Sequence, residues 1–554
     1  MSDFENENVI NQNEGFKIEE PINLGHLPPA LKEPAPWTAR DTAFAALTLV
    51  CSVFFISLSL FGGFNLGFTV SYFILFILTV LYMVKSEIHI KPFPLFCGGA
   101  ALTLSAVFGI FNDSLINTLL FFAVFALYGV FVSLSYTDCE NSRHGIVYSA
   151  LNTLIAVPFA FLTEPFRSYG KYCNDNNKKG PNKQVLVGVA ISIPVLSAVI
   201  PLLISSDAAF ENLMVSLFSG IGTLIAKILL GAILWVFLFA LLFTLKKGLR
   251  REEHTVPEPS GYKNLPAATA VTLFTILSAF YAVYLFSQLS YFFGAFAGEY
   301  SVTPASYARR GFFELCGVCS INLGLIALIT GLARRNEEGK IPLSVRISAT
   351  LICVFSAIFT VTALSKMILY ISFYGLTRLR LLTSVFMVML GLIFLGVVVS
   401  LYLRKFPAAK YIITVLALLA AAVGFCDVDR TVAFYNVEHY KTEQLEDIDV
   451  DHLGGLSDSA VPYLVELLKL PDTEVREEAA RVLYARAEEF YEIDTAEYNK
   501  IKLREIKKGG FSSCNYSRER AKELIGKNIG KIVELKPYVN EYAEYEFPPD
   551  EYYY

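Results

Sequence analysis

Eleven stretches of this chain, near 42–61, 66–84, 95–111, 116–135, 185–205, 218–244, 267–292, 312–333, 343–365, 381–403 and 408–425, are long and apolar. A helix needs about 20 apolar residues to cross a hydrocarbon core of about 30 Å, so each of these can span a bilayer. All must be helical, because irregular chain in lipid would leave backbone N–H and C=O groups unpaired, and no barrel-like alternation is present. With 54% apolar and 18% charged residues, and a mean hydropathy of +0.49, a soluble globular protein is excluded. The expected fold is all-α: a polytopic membrane bundle followed by a soluble helical domain. Segment 146–162 is shorter and carries Asn152 and Pro158, so it is expected to be interfacial or re-entrant.

Charge divides the chain into three parts. Residues 1–41 hold three Lys/Arg against eight Asp/Glu and read as a flexible acidic tail without a signal-peptide pattern. Residues 427–554 hold 17 against 28, which leaves 26 against 15 for the membrane domain, 42–426. The basic loops 163–184, 245–264 and 334–346 belong on the cytoplasmic side by the positive-inside rule. Alternation then places Lys85 and Lys91 there too. It expects a cytoplasmic amino terminus and an extracytoplasmic carboxy-terminal domain.

Catalytic and metal-binding signatures are sparse. Cys316 and Cys319 form a C-x-x-C inside an apolar run with no second pair, which reads as two packing residues. The six histidines fall in no ligand spacing, and no Walker loop, nucleophile elbow or dinucleotide fingerprint occurs. No metal, cofactor or catalytic residue is assigned, and an enzyme is the weakest reading. The cations are scattered between apolar runs, so nucleic acid is not expected as a partner.

Two connections on the expected outer side break the charge pattern: Tyr307 to Leu315 (YARRGFFEL) and Lys366 to Arg380 (KMILYISFYGLTRLR). With Tyr435-Asn436-Val437 and Leu456 to Leu464 (LSDSAVPYL), they resemble the signature strings of a family of bacterial polytopic membrane proteins. That family is catalogued as a domain of unknown function, number four-one-seven-three. The resemblance runs from Trp37 to Leu470 and implies a bacterial inner-membrane protein without an assigned activity.

Within these strings, Arg310 and Glu314 lie four apart on one helical face and can pair, either as a structural lock or as an anion- or proton-linked site. Lys366, Tyr370 and Tyr374 form a polar stripe, and Gly375 is the obvious stop for a helix that would otherwise be too long for the bilayer. Arg309, Arg310, Lys366, Arg378 and Arg380 could together receive phosphate, carboxylate or anionic headgroups, or could simply anchor in them. Lys227, mid-span, needs a partner, for which Glu314 is the expectation.

Beyond the last span, Ala433–Tyr440 reads as an interfacial strip. Ser457–Leu470 and Thr473–Glu492 read as a HEAT-like helix pair, with Thr495–Lys508 and Tyr516–Ile532 as further helices and a Tyr-rich tail. Two functions stand ahead of catalysis. One is a transporter- or flippase-like protein handling an anionic solute or lipid. The other is a sensory or assembly protein whose residues 456–554 meet a protein partner.

Overall fold

The computed structural model describes residues 34–136, 145–176, 208–246, 265–297, 312–337, 339–403, 405–494, 502–506 and 514–535, with a few single residues between 195 and 207. The expected span near 185–205, both chain ends, Arg309 and Arg310 lie outside the described residues.

The first part of the chain folds as α1 (Ala39–Ser59), α2 (Leu66–Lys85), α3 (Pro92–Ile110), α4 (Ser114–Tyr136), α5 (Gly145–Leu151), α6 (Val157–Ala160), α7 (Glu164–Asp175) and α8 (Ala208–Lys246). There follow α9 (Ala267–Ala297), α10 (Phe312–Leu332), α11 (Leu343–Tyr374), α12 (Arg378–Tyr402) and α13 (Ala408–Phe425). Among the described residues ten of these helices are long and apolar enough to cross a membrane: α1–α4 and α8–α13. Polar residues set their starts. Thr38 and Asp41 form a reciprocal capping box on α1, and the Asn65 side chain accepts N–H groups from Gly67 and Phe68. Between α5 and α6 the helix widens into a π turn, Asn152–Ala156, ahead of Pro158, whose ring nitrogen cannot donate to the ladder.

The spans form two bundles. In the first, α1 packs on α2 and α8, α3 packs on α2 and α4, and α13 lies against α3 and α4. Its core is aromatic: Phe68 and Phe108 are fully buried, edge to face at 4.5 Å. In the second bundle α11 is central, touching α9, α10 and α12 around Phe274, Phe359 and Phe394. A short polar chain crosses that core, from the Tyr281 hydroxyl to Asn322 Oδ1 (2.6 Å) and from Asn322 Nδ2 to Ser356 Oγ (2.9 Å). Such bonds hold helices together in a medium offering no competing water. Large apolar side chains such as Phe122, Phe280 and Leu395 face outward, as a lipid solvent requires. The contact between α12 and α13 joins the two bundles.

The remaining chain forms α14 (Val428–Lys441), α15 (Val450–Gly454), α16 (Val461–Leu467), α17 (Thr473–Phe490), the strands β1 (Tyr491–Asp494) and β2 (Lys502–Glu505), and α18 (Tyr516–Leu535). Ala433–Tyr440, expected as an interfacial strip, is the body of α14, with Val432, Ala433 and Val437 fully buried. One expectation is corrected. Within Thr495–Lys508, the described residues 502–505 are a strand paired antiparallel to β1, with Ile493 opposite Leu503. Tyr491–Asp494 alternates apolar and charged residues, a period of two that suits a strand, while Lys502–Glu505 carries Leu503 as its one apolar residue. Helices α16, α17 and α18 pack on one another, and their apolar side chains belong to the same core as Phe108 and Leu120 of the first bundle.

The two ends of the bundles differ. At one end Lys246 donates to the buried Asp41 carboxylate at 2.6 Å, beside the Tyr82 hydroxyl. At the other, α14–α18 sit on the turns around 60–65, 111–113, 375–377 and 426–427, through bonds such as Leu66 N–H to Cys514 O (3.1 Å) and Asn515 Nδ2 to Phe108 O (3.1 Å).

Candidate functional site

Helix α11 runs unbroken for 32 residues, about 48 Å at 1.5 Å per residue, and so overshoots the hydrocarbon. It stops at Gly375, whose φ of 72° and ψ of 179° fall in a region open essentially to glycine alone. A Cβ there would also strike Asn436 Oδ1. Asn436, on α14, latches the next residue from both sides: its Oδ1 accepts the Leu376 N–H (2.7 Å) and its Nδ2 donates to the Leu376 carbonyl (2.8 Å). Thr377 then caps α12.

Helix α12 opens with two arginines two residues apart. At about 100° per residue their side chains leave the helix on nearly opposite faces. Arg378 turns toward α14 and holds Asp429 in a fork, Nε to Oδ1 and Nη2 to Oδ2. The Asp429 side chain is fully buried and also accepts the Ser457 N–H at 2.6 Å. Asp113 lies on the other side of Arg378, its Oδ2 at 3.9 Å from Nε and its Oδ1 capping α4 through the N–H groups of Leu115 (3.0 Å) and Ile116 (3.2 Å). Burial pushes the Asp429 carboxyl up, but hydrogen bonds from Arg378 and Ser457 outweigh it and hold the group below its ordinary value. Burial, then the field of Asp429, raises Asp113. Nearby, Asp458 accepts from Asn112 Nδ2 (2.6 Å) and Arg486 Nη1 (2.9 Å), tying the α3–α4 turn to α17.

Arg380 turns into the second bundle. Its Nη1 donates to the carbonyls of Tyr374 (2.8 Å) and Gly375 (2.5 Å), and its guanidinium lies 4.3 Å over the Tyr370 ring. Unlike Arg378, it is paired with no carboxylate among the described residues. It borders a cavity of about 340 Å³ lined by Phe312, Phe313, Met367, Tyr370, Thr377, Leu379 and Thr383. Phe313 and Leu379 are 56% and 60% exposed, so the cavity opens on the lipid-facing side. A guanidinium with two threonines at one end and phenyl rings at the other can bind an anion carrying an apolar body. A larger groove of about 730 Å³ along α9, lined by Ala268, Thr269, Thr272, Leu273, Ile276, Leu277 and Leu325, has no charged group and suits only acyl chains.

The other residues singled out from sequence scatter. Lys366 is buried on α11 one turn before Tyr370, within the electrostatic reach of Glu314, which is exposed in the first turn of α10. Tyr374 lies tilted against Tyr370, 5.0 Å between ring centres, completing the stripe. Lys227 does not meet Glu314; it lies 5.3 Å over the Phe61 ring on the first bundle. The pairing of Arg310 with Glu314 falls outside the described residues. Cys319 is buried and Cys316 touches Met387 at 3.1 Å between sulfurs. Sequence reasoning missed Asp113 and Asp429 altogether. The one readable signal was positional: an Asx immediately before an apolar helix, Asp113-Ser114, and an aspartate-rich turn, Asp427-Val428-Asp429, after the last span.

Three of the four resemblance strings meet at this joint, and Phe312 and Phe313 of the fourth wall the cavity. Residues 98–467 match the family model described as Domain of unknown function (DUF4153). The number is 4153 where the four strings had suggested 4173, and the matched region contains all four. No curated protein and no solved structure matches the chain.

Proposed function

The chain belongs to this DUF4153 family and is an integral membrane protein, and from that premise we propose that it takes an anionic, lipid-like molecule into the cavity at Arg380. What carries the reading is the contrast between two arginines on one helical turn: Arg378 is neutralised by Asp429, whereas Arg380, paired with no carboxylate among the described residues, borders a cavity with apolar walls. A half-buried guanidinium at the membrane edge is costly unless an anion or a headgroup meets it. The Thr377 hydroxyl and the remaining guanidinium N–H groups supply donors for phosphate or carboxylate oxygens, and Phe312, Phe313 and Leu379 accept an acyl chain. In this reading the protein sits in a bacterial cell membrane with its basic loops in the cytoplasm and α14–α18 outside. The cavity then serves the outer leaflet, as in a transporter- or flippase-like protein. Native mass spectrometry of the detergent-purified protein tests it, with phosphatidylglycerol and phosphatidylcholine offered in competition. Retention of phosphatidylglycerol by the wild type, weakened about tenfold or more in Arg380→Gln, is the expected outcome. Equal retention of both lipids, or no change in the variant, refutes it.

A further inference from the structure

The joint between α12, the α3–α4 turn and α14 holds two buried carboxylates against one guanidinium. Asp429 accepts from Nε and Nη2 along one edge of the Arg378 guanidinium. Asp113 is left with one oxygen, Oδ2, that is buried, has no hydrogen-bond partner, and stands 3.9 Å from Arg378 Nε, beyond hydrogen-bonding range. The residue is 4% exposed. Two charged carboxylates here would leave one negative charge uncompensated in a low-dielectric pocket, which is strongly unfavourable.

We propose that Asp113 is a proton-binding site, and that the proton it holds keeps the carboxy-terminal helices fastened to the membrane bundles. With Asp113 neutral, the Arg378–Asp429 pair is balanced. Loss of the proton sets a second anion beside Asp429 and loosens the contact of α14 with α12 and with the α3–α4 turn.

The surrounding charges support this assignment. On α12, Arg378 is committed to Asp429, and Arg380 turns the other way to the carbonyls of Tyr374 and Gly375. From the start of α14, Asp427 caps its own helix through the Arg430 N–H, while the Arg430 side chain reaches the Tyr463 hydroxyl. In the turn before α16, Asp458 is answered by Arg486 at 2.9 Å and Arg518 at 4.0 Å. Asp427 is likewise raised by burial, but among the described residues Asp113 Oδ2 is the one buried carboxylate oxygen without a hydrogen bond, which makes Asp113 the carboxylate in surplus.

The sign follows from linkage. Asp113 is raised in the folded protein, first by burial and then by Asp429. Its contribution is therefore complete below the ordinary carboxylate value of about 4 and is lost as pH rises through its folded value. Asp429, held low, contributes above that ordinary value and fails only in stronger acid. The joint is tightest between the two and opens toward the alkaline side. This holds whatever the Arg380 cavity receives.

The test is hydrogen exchange, read by mass spectrometry, of the peptides covering 428–441 and 375–378 in the full-length protein in nanodiscs. The pH is varied from about 5 to about 8, with intrinsic exchange rates divided out. In the wild type, the opening equilibrium should grow by up to tenfold per pH unit once Asp113 deprotonates. Asp113→Asn retains the α4 cap and mimics the protonated group, so it should stay protected and pH-independent across the range. Infrared difference spectra should show a buried carboxylic acid band in the wild type that Asp113→Asn lacks. A flat wild-type profile, an unchanged profile in Asp113→Asn, or a profile abolished by Asp427→Asn instead would each overturn the assignment.

Discussion

At the residue scale, two positions separated by one residue do opposite work. Removing Asp429 takes both fork hydrogen bonds from Arg378 and leaves Asp113, at 3.9 Å, as its remaining counter-charge, a loss of about 3 kcal/mol for two charge-assisted bonds. Asp429→Ala should therefore lower the thermal midpoint of the purified protein clearly. Arg380→Gln gives up two bonds to helix-end carbonyls and should cost about 1 kcal/mol, so its midpoint should stay near that of the wild type. Equal loss in the two variants would mean that Arg380 is a structural clamp as well. Gly375→Ala should cost about 1–3 kcal/mol for backbone strain, and more because its Cβ meets Asn436. A denaturation midpoint unchanged from wild type would show that the turn relaxes freely. Sequence alone marked Gly375 as the stop of an over-long helix, since length and a terminal glycine are local signals. It could not distinguish Arg378 from Arg380, because the partner that separates them, Asp429, is 51 positions away in the chain.

At the scale of elements, α11, α12 and α14 meet through a few directed bonds, with Asn436 gripping the Leu376 backbone on both its donor and acceptor sides. Asn436→Ala strands two buried backbone groups at about 1–3 kcal/mol each. Exchange protection of residues 375–378 should fall in that variant while the interior of α11 stays protected. Loss of protection along all of α11 would instead indicate that the latch supports the entire second bundle. The spans were legible because lipid allows only one backbone solution for a run of some twenty apolar residues. The hairpin of β1 and β2 was not, because a four-residue strand such as Lys502–Glu505 gives too short a period to stand out among helical neighbours. The core contribution of α14 was illegible for a different reason. Its mixed composition resembles a surface strip, yet Val432, Ala433 and Val437 are fully buried against other elements, which only the assembled fold can show.

At the scale of the whole molecule, the composition shift near residue 427 suggests a soluble domain tethered behind a membrane domain, but the described residues share one core across that boundary. Leu464, Leu483 and Ile525 belong to the same cluster as Phe108 and Leu120. A chain truncated after Asp427 should therefore lose its single symmetric peak in size-exclusion chromatography, whereas a monodisperse truncated protein would show that the bundles stand alone. The continuous core also gives the cavity a fixed surround: α12 carries Arg380 into the second bundle while its neighbour Arg378 is anchored to α14. The most direct test of this arrangement is a cryo-electron microscopy map of the full-length protein in nanodiscs rich in phosphatidylglycerol. The account predicts headgroup density within about 3 Å of the Arg380 guanidinium, with an acyl chain running past Phe312 and Phe313, and Arg378 still forked on Asp429. A cavity closed or filled only by neutral chain, with Arg380 extended into solvent, would contradict it.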